Sequence, residues 1–229
     1  MEFYSSQLQD LFVFALTKGE KGFFLDIGCG TPVRGNNSYS LENEGWSGIL
    51  IDSEKDNISL CEAQRKNKSF CRDATKIDWR SFLAENNCPE VIDYISLDVD
   101  EANYDVMENF PFDSYPFKVM TVEHDLFRRG DRIKNKIAEV LSNHPKYFCL
   151  VDNLKFDRLG THEWCIDGES SFEDWYINKD FFPKELTKLQ SSDICHIDFM
   201  SKILYLYPGA QWFWEKNDGV SWWSTTPGV

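Results

Sequence analysis

The sequence predicts an α/β domain with a mainly parallel sheet and helices on both faces. Three observations carry this. Short apolar runs recur along the first 150 residues, separated by segments with helical spacing. The apolar runs are continuous rather than alternating, as strands covered on both faces require. The first run leads directly into a glycine-containing turn, Gly28-Cys29-Gly30.

Each element follows in order. Ser5 and Ser6 are N-cap candidates for a first helix, with Leu8, Leu11, Phe12 and Ala15 at helical spacing and Gly19 as its stop. Phe23 to Gly28 is the first strand. A Gly-, Pro- and Thr-containing loop, Cys29 to Asn36, delays the next helix, which starts near Asn37-Ser38. Gly48 to Asp52 is the second strand, Ile58 to Lys66 a helix, and Ser69 to Asp73 the third strand. A helix over Asp78 to Asn86 leads to the fourth strand, Val91 to Asp98, and a short helix over Ala102 to Asn109 leads to the fifth, Phe117 to Glu123. Arg132 to Ser142 is helical and Tyr147 to Val151 is the sixth strand. Beyond Asp152 the rhythm breaks. Asn153 to Tyr176 reads as a long connection within a lid-like insertion spanning about 153–180, of the length used by lids and binding elements. A helix over Pro183 to Leu189 and a last strand over Ser201 to Tyr207 precede an aromatic tail, 208–229.

No internal repeat, low-complexity tract or long Gly/Ser linker divides the 229 residues, so a single domain, 1–229, is expected. Hydrophobic residues make up 42%, enough for a substantial core rather than a disordered chain. The net charge of −14 repels phosphate backbones and argues against a nucleic-acid partner. The basic run Phe127-Arg128-Arg129-Gly130-Asp131-Arg132 is short, is interrupted by Asp131, and reads as a solvated helix start. Seven cysteines, an odd count with no C-x-x-C pair, speak against a zinc ribbon or a disulfide framework and for a reducing, cytoplasmic setting. The chain opens without a basic segment followed by a long apolar stretch, and no apolar run approaches the roughly 20 residues of a membrane span, so no membrane partner is expected.

The ends of the first three strands carry the clearest chemistry. In open α/β sheets, ligands sit beyond the carboxyl ends of the strands at the switch point. Gly28 and Gly30 let the backbone turn tightly there and admit a ligand closely. Asp52 lies about 20 residues on, where a carboxylate accepts from ribose hydroxyls, and Asp73-Ala74 ends the third strand, where a carboxylate can accept from an adenine amino group. Cys29 and Ser53 flank these positions and belong to the same candidate set. The run Gly28-Cys29-Gly30-Thr31-Pro32-Val33 lacks the third glycine of a dinucleotide fingerprint, and Pro32 delays the helix that would meet a pyrophosphate. Asp26, just ahead of the glycines, repels a pyrophosphate but welcomes a cationic amino-acid end. The set therefore favours S-adenosylmethionine over NAD, and no P-loop motif occurs.

The chain resembles the FkbM family of S-adenosylmethionine-dependent methyltransferases. The resemblance rests on Phe24 to Gly30, Val33 to Glu42, Gly45 to Asp52, Ile92 to Asp100, Asn109 to Phe112, Phe117 to His124 and Phe172 to Tyr176, in that order. It covers most of residues 23–180. It implies a class I (Rossmann-like) methyltransferase fold and O-methylation of a saccharide or other small-molecule acceptor. It further implies Gly28, Gly30, Asn37 and Ser38 near the methionine end of the cofactor, Asp52 at the ribose and Asp73 near the adenine. Two departures stand out: Asp52 where the family commonly has Glu, and Gly30-Thr31-Pro32 in place of an Asn/Asp-rich turn.

Methyl transfer to a hydroxyl needs alignment and a proton acceptor. His124 is the first candidate base because its ordinary pKa lies near neutrality. Glu123 and Asp98, at the ends of the fifth and fourth strands, are the others. Asp98, Glu123 and Asp152, with the Asn153 amide, also form a candidate oxygen set for a divalent metal such as Mg²⁺. Acceptor recognition is expected in Asn153 to Tyr176, where Trp164, Trp175 and Tyr176 either stack on a sugar face or pack the segment onto the domain. His162-Glu163-Trp164-Cys165 is not a zinc-protease motif. The tail, with Trp212-Phe213-Trp214 and Trp222-Trp223, suits the sheet edge or a partner surface. The alternative to an enzyme is a degenerate methyltransferase fold that serves as a binding or assembly module.

Overall fold

The computed structural model describes residues 2–155 and 171–210. The elements are α1 (Gln9–Thr17), β1 (Phe23–Ile27), α2 (Tyr39–Asn43), β2 (Ser47–Asp52), α3 (Lys55–Gln64), β3 (Lys68–Cys71), α4 (Trp79–Glu85), β4 (Ile92–Leu97), α5 (Asn103–Asn109), β5 (Phe117–Glu123), α6 (Leu126–Arg129), α7 (Arg132–Ser142), β6 (Tyr147–Lys155), β7 (Ser171–Asn178), α8 (Lys184–Thr187), β8 (Ser191–Cys195) and α9 (His196–Leu206). The sheet runs β3-β2-β1-β4-β5-β7-β6-β8. Strand β7 pairs antiparallel with both β5 and β6, and every other pair is parallel. Chain order reverses between β1 and β4, which places a crevice at their carboxyl ends.

Alternate residues of each strand point to opposite faces, and each face buries its own core. Phe24, Tyr94, Val119 and Trp175 pack with Phe12 and Phe14 of α1 and Phe199 and Ile203 of α9. Leu25, Ile27, Ile95, Leu97 and Val122 pack with Trp79, Val106 and Ile137 of α4, α5 and α7. Phe12 stacks on Trp175 at 4.4 Å between ring centres, which clamps α1 over the middle of the sheet.

Several expectations are corrected. Ser201 to Tyr207 is not a strand but the last part of α9 and its C-cap. Phe199, Met200, Ile203 and Leu204 are buried at helical spacing, while Tyr205 and Leu206 are exposed, so an unbroken apolar run had imitated a buried strand. Much of the expected insertion over 153–180 is sheet: β6 continues to Lys155, and Ser171–Asn178 is an interior strand buried throughout. Its middle, 156–170, with Trp164, lies outside the described residues, as does 211–229 of the tail. Strand β8 and helix α6 were not anticipated. Neither Ser5 nor Ser6 occupies the N-cap position of α1, which is Leu8, but the Ser5 hydroxyl does accept from the first-turn amide of Asp10 at 3.3 Å and donates to Asp10 Oδ1 at 2.5 Å. No helix of the described residues is long and apolar enough to cross a membrane.

Candidate functional site

The turn after β1 is held from below and open above. Gly28 sits at φ 82°, and a Cβ there would lie 1.7 Å from the Asp98 carbonyl oxygen, so the ends of β1 and β4 meet as closely as they do only because the side chain is absent. The Gly28 and Cys29 amides donate to the Ile51 carbonyl at 2.8 and 3.1 Å. Gly30, at φ 56°, has no atom within 4 Å of where a Cβ would stand, so its outer side faces open space. Asp52 reaches across from β2. Its Oδ2 accepts from the Gly30 amide at 2.8 Å and from Asn57 Nδ2 at 3.3 Å, and its Oδ1 accepts from the Glu54 amide at 2.7 Å. Ser53 beside it is exposed.

Beneath this turn lies a buried polar network. Ser38 Oγ donates to Asp26 Oδ2 at 2.6 Å, and Asn37 Nδ2 donates to Ser96 Oγ at 3.0 Å. Asn36 Nδ2 donates to the carbonyls of Cys29 and Thr31, which sets the shape of the loop. Arg65, from the end of α3, runs under the loop with its side chain wholly buried. It pairs with Glu42 at 3.1 Å and donates to the Pro32 carbonyl, Asn36 Oδ1 and Ser38 Oγ. Burial pushes the Asp26 carboxyl above its ordinary range, and Ser38 and Arg65 pull it back only in part. Asp73, after β3, is exposed and engaged by Lys76 at 2.6 Å and by Thr75, contacts that hold its pKa down at about 2. Ala74 beside it is buried.

A second cluster lies one strand pair away. Asp98 follows β4 and Glu123 ends β5, and their carboxyls are hydrogen-bonded to each other. Asp98 is exposed at the lip of the crevice and Glu123 half-buried behind it. Desolvation raises both, and the nearby Asp125 charge raises both further. The pair therefore holds a proton well above the ordinary carboxylate range. Glu173, directly opposite Glu123 across the β5–β7 pairing, is buried and accepts from Gln9 Nε2 at 2.9 Å. Burial, followed by the Asp98 charge, lifts it to about 8. The loops around this cluster include two left-handed residues, Asp100 at φ 54° and Asp125 at φ 50°.

His124 points to the other face of the sheet. Its side chain has no exposure, Nε2 lies 3.1 Å from Asp174 Oδ1, and Nδ1 accepts from the Leu126 amide at 3.2 Å. The amide at Nδ1 fixes the proton on Nε2, so both nitrogens are committed and neither faces the crevice. The candidate metal set does not assemble either. Asp152 turns to the His124 side, where it binds Lys134 and lies with Cys149 and Asp174, apart from Asp98 and Glu123. Cys149, Asp152 and Asp174 are the group of metal-ligating side chains that converges among the described residues, and the Lys134 ammonium already lies 3.6 Å from Asp174. No metal-dependent step follows from this arrangement. Trp175 and Tyr176 are buried, so neither offers a stacking face to a sugar.

Sequence reasoning missed Arg65, Asn36 and Glu173. Gln64-Arg65-Lys66-Asn67 looks like an ordinary solvated helix end, with no local sign that Arg65 turns inward. Glu173 carried a signal: read as a strand, Glu173 and Trp175 share one face and Asp174 and Tyr176 the other.

No protein-family model matches the sequence, and no curated protein matches it. Solved structures do match. An O-methyltransferase from Bacillus cereus, determined with SAH, superposes with a TM-score of 0.54 at 12% identity, over 78% of this chain and 83% of that one. A SAM-dependent O-methyltransferase from Thermotoga maritima gives 0.51 at 10% identity, over 78% and 67%. A magnesium protoporphyrin IX methyltransferase from Synechocystis, with SAM bound, gives 0.51 at 11% identity, over 74% and 76%. The fold is that of the class I methyltransferases. In a class I methyltransferase sheet the crevice between β1 and β4 is the place for a ligand, and both clusters described above border it.

Proposed function

We propose that the chain is an S-adenosylmethionine-dependent methyltransferase of FkbM type that O-methylates a saccharide or other small-molecule acceptor. One observation carries this reading: the open glycine turn braced by Asp52 and the proton-holding Asp98–Glu123 pair flank the same switch point. Gly28, Cys29 and Gly30 would line the cofactor, with Asp26, Asn37 and Ser38 toward its amino-acid end. Asp52 and Ser53 would meet its ribose, and Asp73 and Ala74 its adenine. When bound, the cofactor supplies an electrophilic methyl group. The donor set fits it at the turn, since Gly30 leaves room above and Asp52 suits hydroxyls, while Asp26, buried beneath on Ser38, would act on the amino-acid end through that contact.

The chain's own part is to orient the acceptor and take its proton. Asp98 stands at the exposed lip, and its carboxylate accepts the hydroxyl hydrogen while Glu123 stays neutral and holds it in place. A carboxylate whose proton affinity is raised is a stronger base than an ordinary one. His124 has a structural part, tying the end of β5 to Asp174 of β7. The net charge of −14 supports a small acceptor over nucleic acid, and the free state of all six described cysteines suits a reducing cytoplasm.

A specific observation favours the second reading, a binding or assembly module: Asp52 already takes three N–H donors, and Asp73 is spent on Lys76 and Thr75. Calorimetry with S-adenosylmethionine and its demethylated product separates the two. Saturable heat that weakens in Asp52→Ala supports the enzyme, and its absence at high protein concentration leaves the module. Labelled cofactor incubated with fractionated metabolites and glycans then identifies the acceptor.

A further inference from the structure

The chain is strongly acidic, yet residues 126–136 carry five cations: Arg128, Arg129, Arg132, Lys134 and Lys136. Three of them are neutralised. Arg128 binds Asp125. Arg129 spans Asp125 and Asp100, both at 3.3 Å, and also binds Glu101. Lys134 binds Asp152. Arg132 and Lys136 have no ion pair among the described residues. They sit four residues apart on α7, hence on one face of it.

That face lines a cleft of about 360 Å³ between α5 and α7, which Glu101, Tyr104, Asp105 and Arg129 also border. Lys136 Nζ stands 4.0 Å above the centre of the Tyr104 ring. Glu101 is occupied by Arg129, while Asp105 lines the cleft and Glu108, which accepts from the Tyr104 hydroxyl at 2.8 Å, stands with Glu139 near the same ring, so Arg132 and Lys136 have acidic neighbours but are ion-paired to none of them. The cleft adjoins the proposed active site. Arg129 bridges the loop after β4, two and three residues from Asp98, and the loop after β5, two residues from Glu123.

We propose that this cleft binds a phosphate-bearing group, a phosphate monoester or diphosphate, carried by the small-molecule acceptor. Arg132 and Lys136 take the phosphate oxygens, and the Tyr104 ring packs against the part of the ligand next to them. Only the word acceptor rests on the methyltransferase reading; the anion site stands on the cleft itself.

The test is calorimetric titration of the full chain with inorganic pyrophosphate, uridine diphosphate and, as a polyanion, a short single-stranded oligothymidylate. Pyrophosphate is expected to bind saturably, and uridine diphosphate to bind at least as tightly if the ligand includes a ring beside the phosphate. In the doubly substituted Arg132→Ala/Lys136→Ala protein, pyrophosphate binding should weaken about tenfold or more, the loss expected for charge-assisted hydrogen bonds. A Lys184→Ala/Lys188→Ala control on the distant α8 should bind as before. The S-adenosylmethionine titration of the same double variant reports separately on the cofactor site and should not change. Three results overturn the proposal: no saturable pyrophosphate heat, equal affinity in the double variant, or tighter binding of the oligonucleotide than of pyrophosphate.

Discussion

Replacing Arg65 by Met probes the support under the cofactor turn. The Arg65 side chain is fully buried and makes four hydrogen bonds, to Glu42, the Pro32 carbonyl, Asn36 and Ser38. Methionine fills most of the volume, so the main loss is electrostatic: Glu42 is left as a buried carboxylate without its cation. Removing one partner of a buried pair costs about 3–5 kcal/mol. Glu42 keeps the amides of Lys66 and Asn67, at 3.0 and 3.1 Å, and Asn67 Nδ2 at 2.6 Å, so the low end, about 3 kcal/mol, is expected. For a domain of this size that is a fall in Tm of about 6–12 °C. Urea denaturation and thermal melting at pH 7 measure it. Ser38 and Asn36 also lose their anchor, so S-adenosylmethionine should bind about tenfold or more weakly at a temperature where the variant is still folded. Adding Glu42→Gln removes the stranded charge and should recover part of the stability but not the affinity. A fall in Tm below about 2 °C, with cofactor affinity intact, would refute the idea that a buried cation organises the turn.

Further predictions concern the crevice. Glu173 is protonated in the folded protein up to about pH 8 but ionises near its ordinary value when unfolded, so its contribution falls as pH rises between those points. Glu173→Gln should therefore gain stability over the parent by roughly 2 kcal/mol or more between pH 5 and pH 8, measured by urea titration, and a pH-independent difference contradicts the assignment. Gly28→Ala meets the Asp98 carbonyl and an unfavourable φ, so a loss above about 3 kcal/mol is expected, read as a lower Tm or insoluble expression. Glu123→Gln should lower label transfer at least about a hundredfold while calorimetry shows unchanged cofactor binding, and near-normal transfer removes the carboxyl pair from the mechanism. His124→Ala should destabilise by about 1–2 kcal/mol, since Asp174 keeps the Asn153 amide at 2.8 Å and Lys134 at 3.6 Å, yet leave transfer per folded molecule largely intact; complete loss of transfer in folded protein restores His124 as the base.

The parallel core was legible because buried strands announce themselves. Phe23 to Gly28, Gly48 to Asp52 and Val91 to Asp98 are largely apolar runs flanked by helix-forming segments; β1 and β4 fall inside them and β2 starts one residue earlier, at Ser47. The carboxylate after β2 was found by its distance from the glycines. What failed, failed for physical reasons. The run Ile203 to Tyr207 has no periodicity of its own, and only the packing of Phe199 and Met200 shows that it is helical. Strand β7 was hidden because Glu173 and Asp174 interrupt its apolar character, yet each is buried against a specific partner, Gln9 on one face and His124 on the other. The roles of Glu123 and His124 could not be separated in sequence, since adjacent strand residues face opposite ways and nothing local says which face holds the crevice.

The position of β7 has a consequence for how the chain reaches its native state. It wedges between two strands that are both made before it, so until Ser171–Asn178 has been synthesised the facing edges of β5 and β6 have nothing to pair with. The nascent protein thus carries an open slot in the middle of its sheet, and a fragment ending before residue 171 should be prone to sticking to copies of itself. Closing that slot also brings Glu173 and Asp174 to their partners, while the cover over Trp175 waits for Phe199 and Ile203 of α9, made later still.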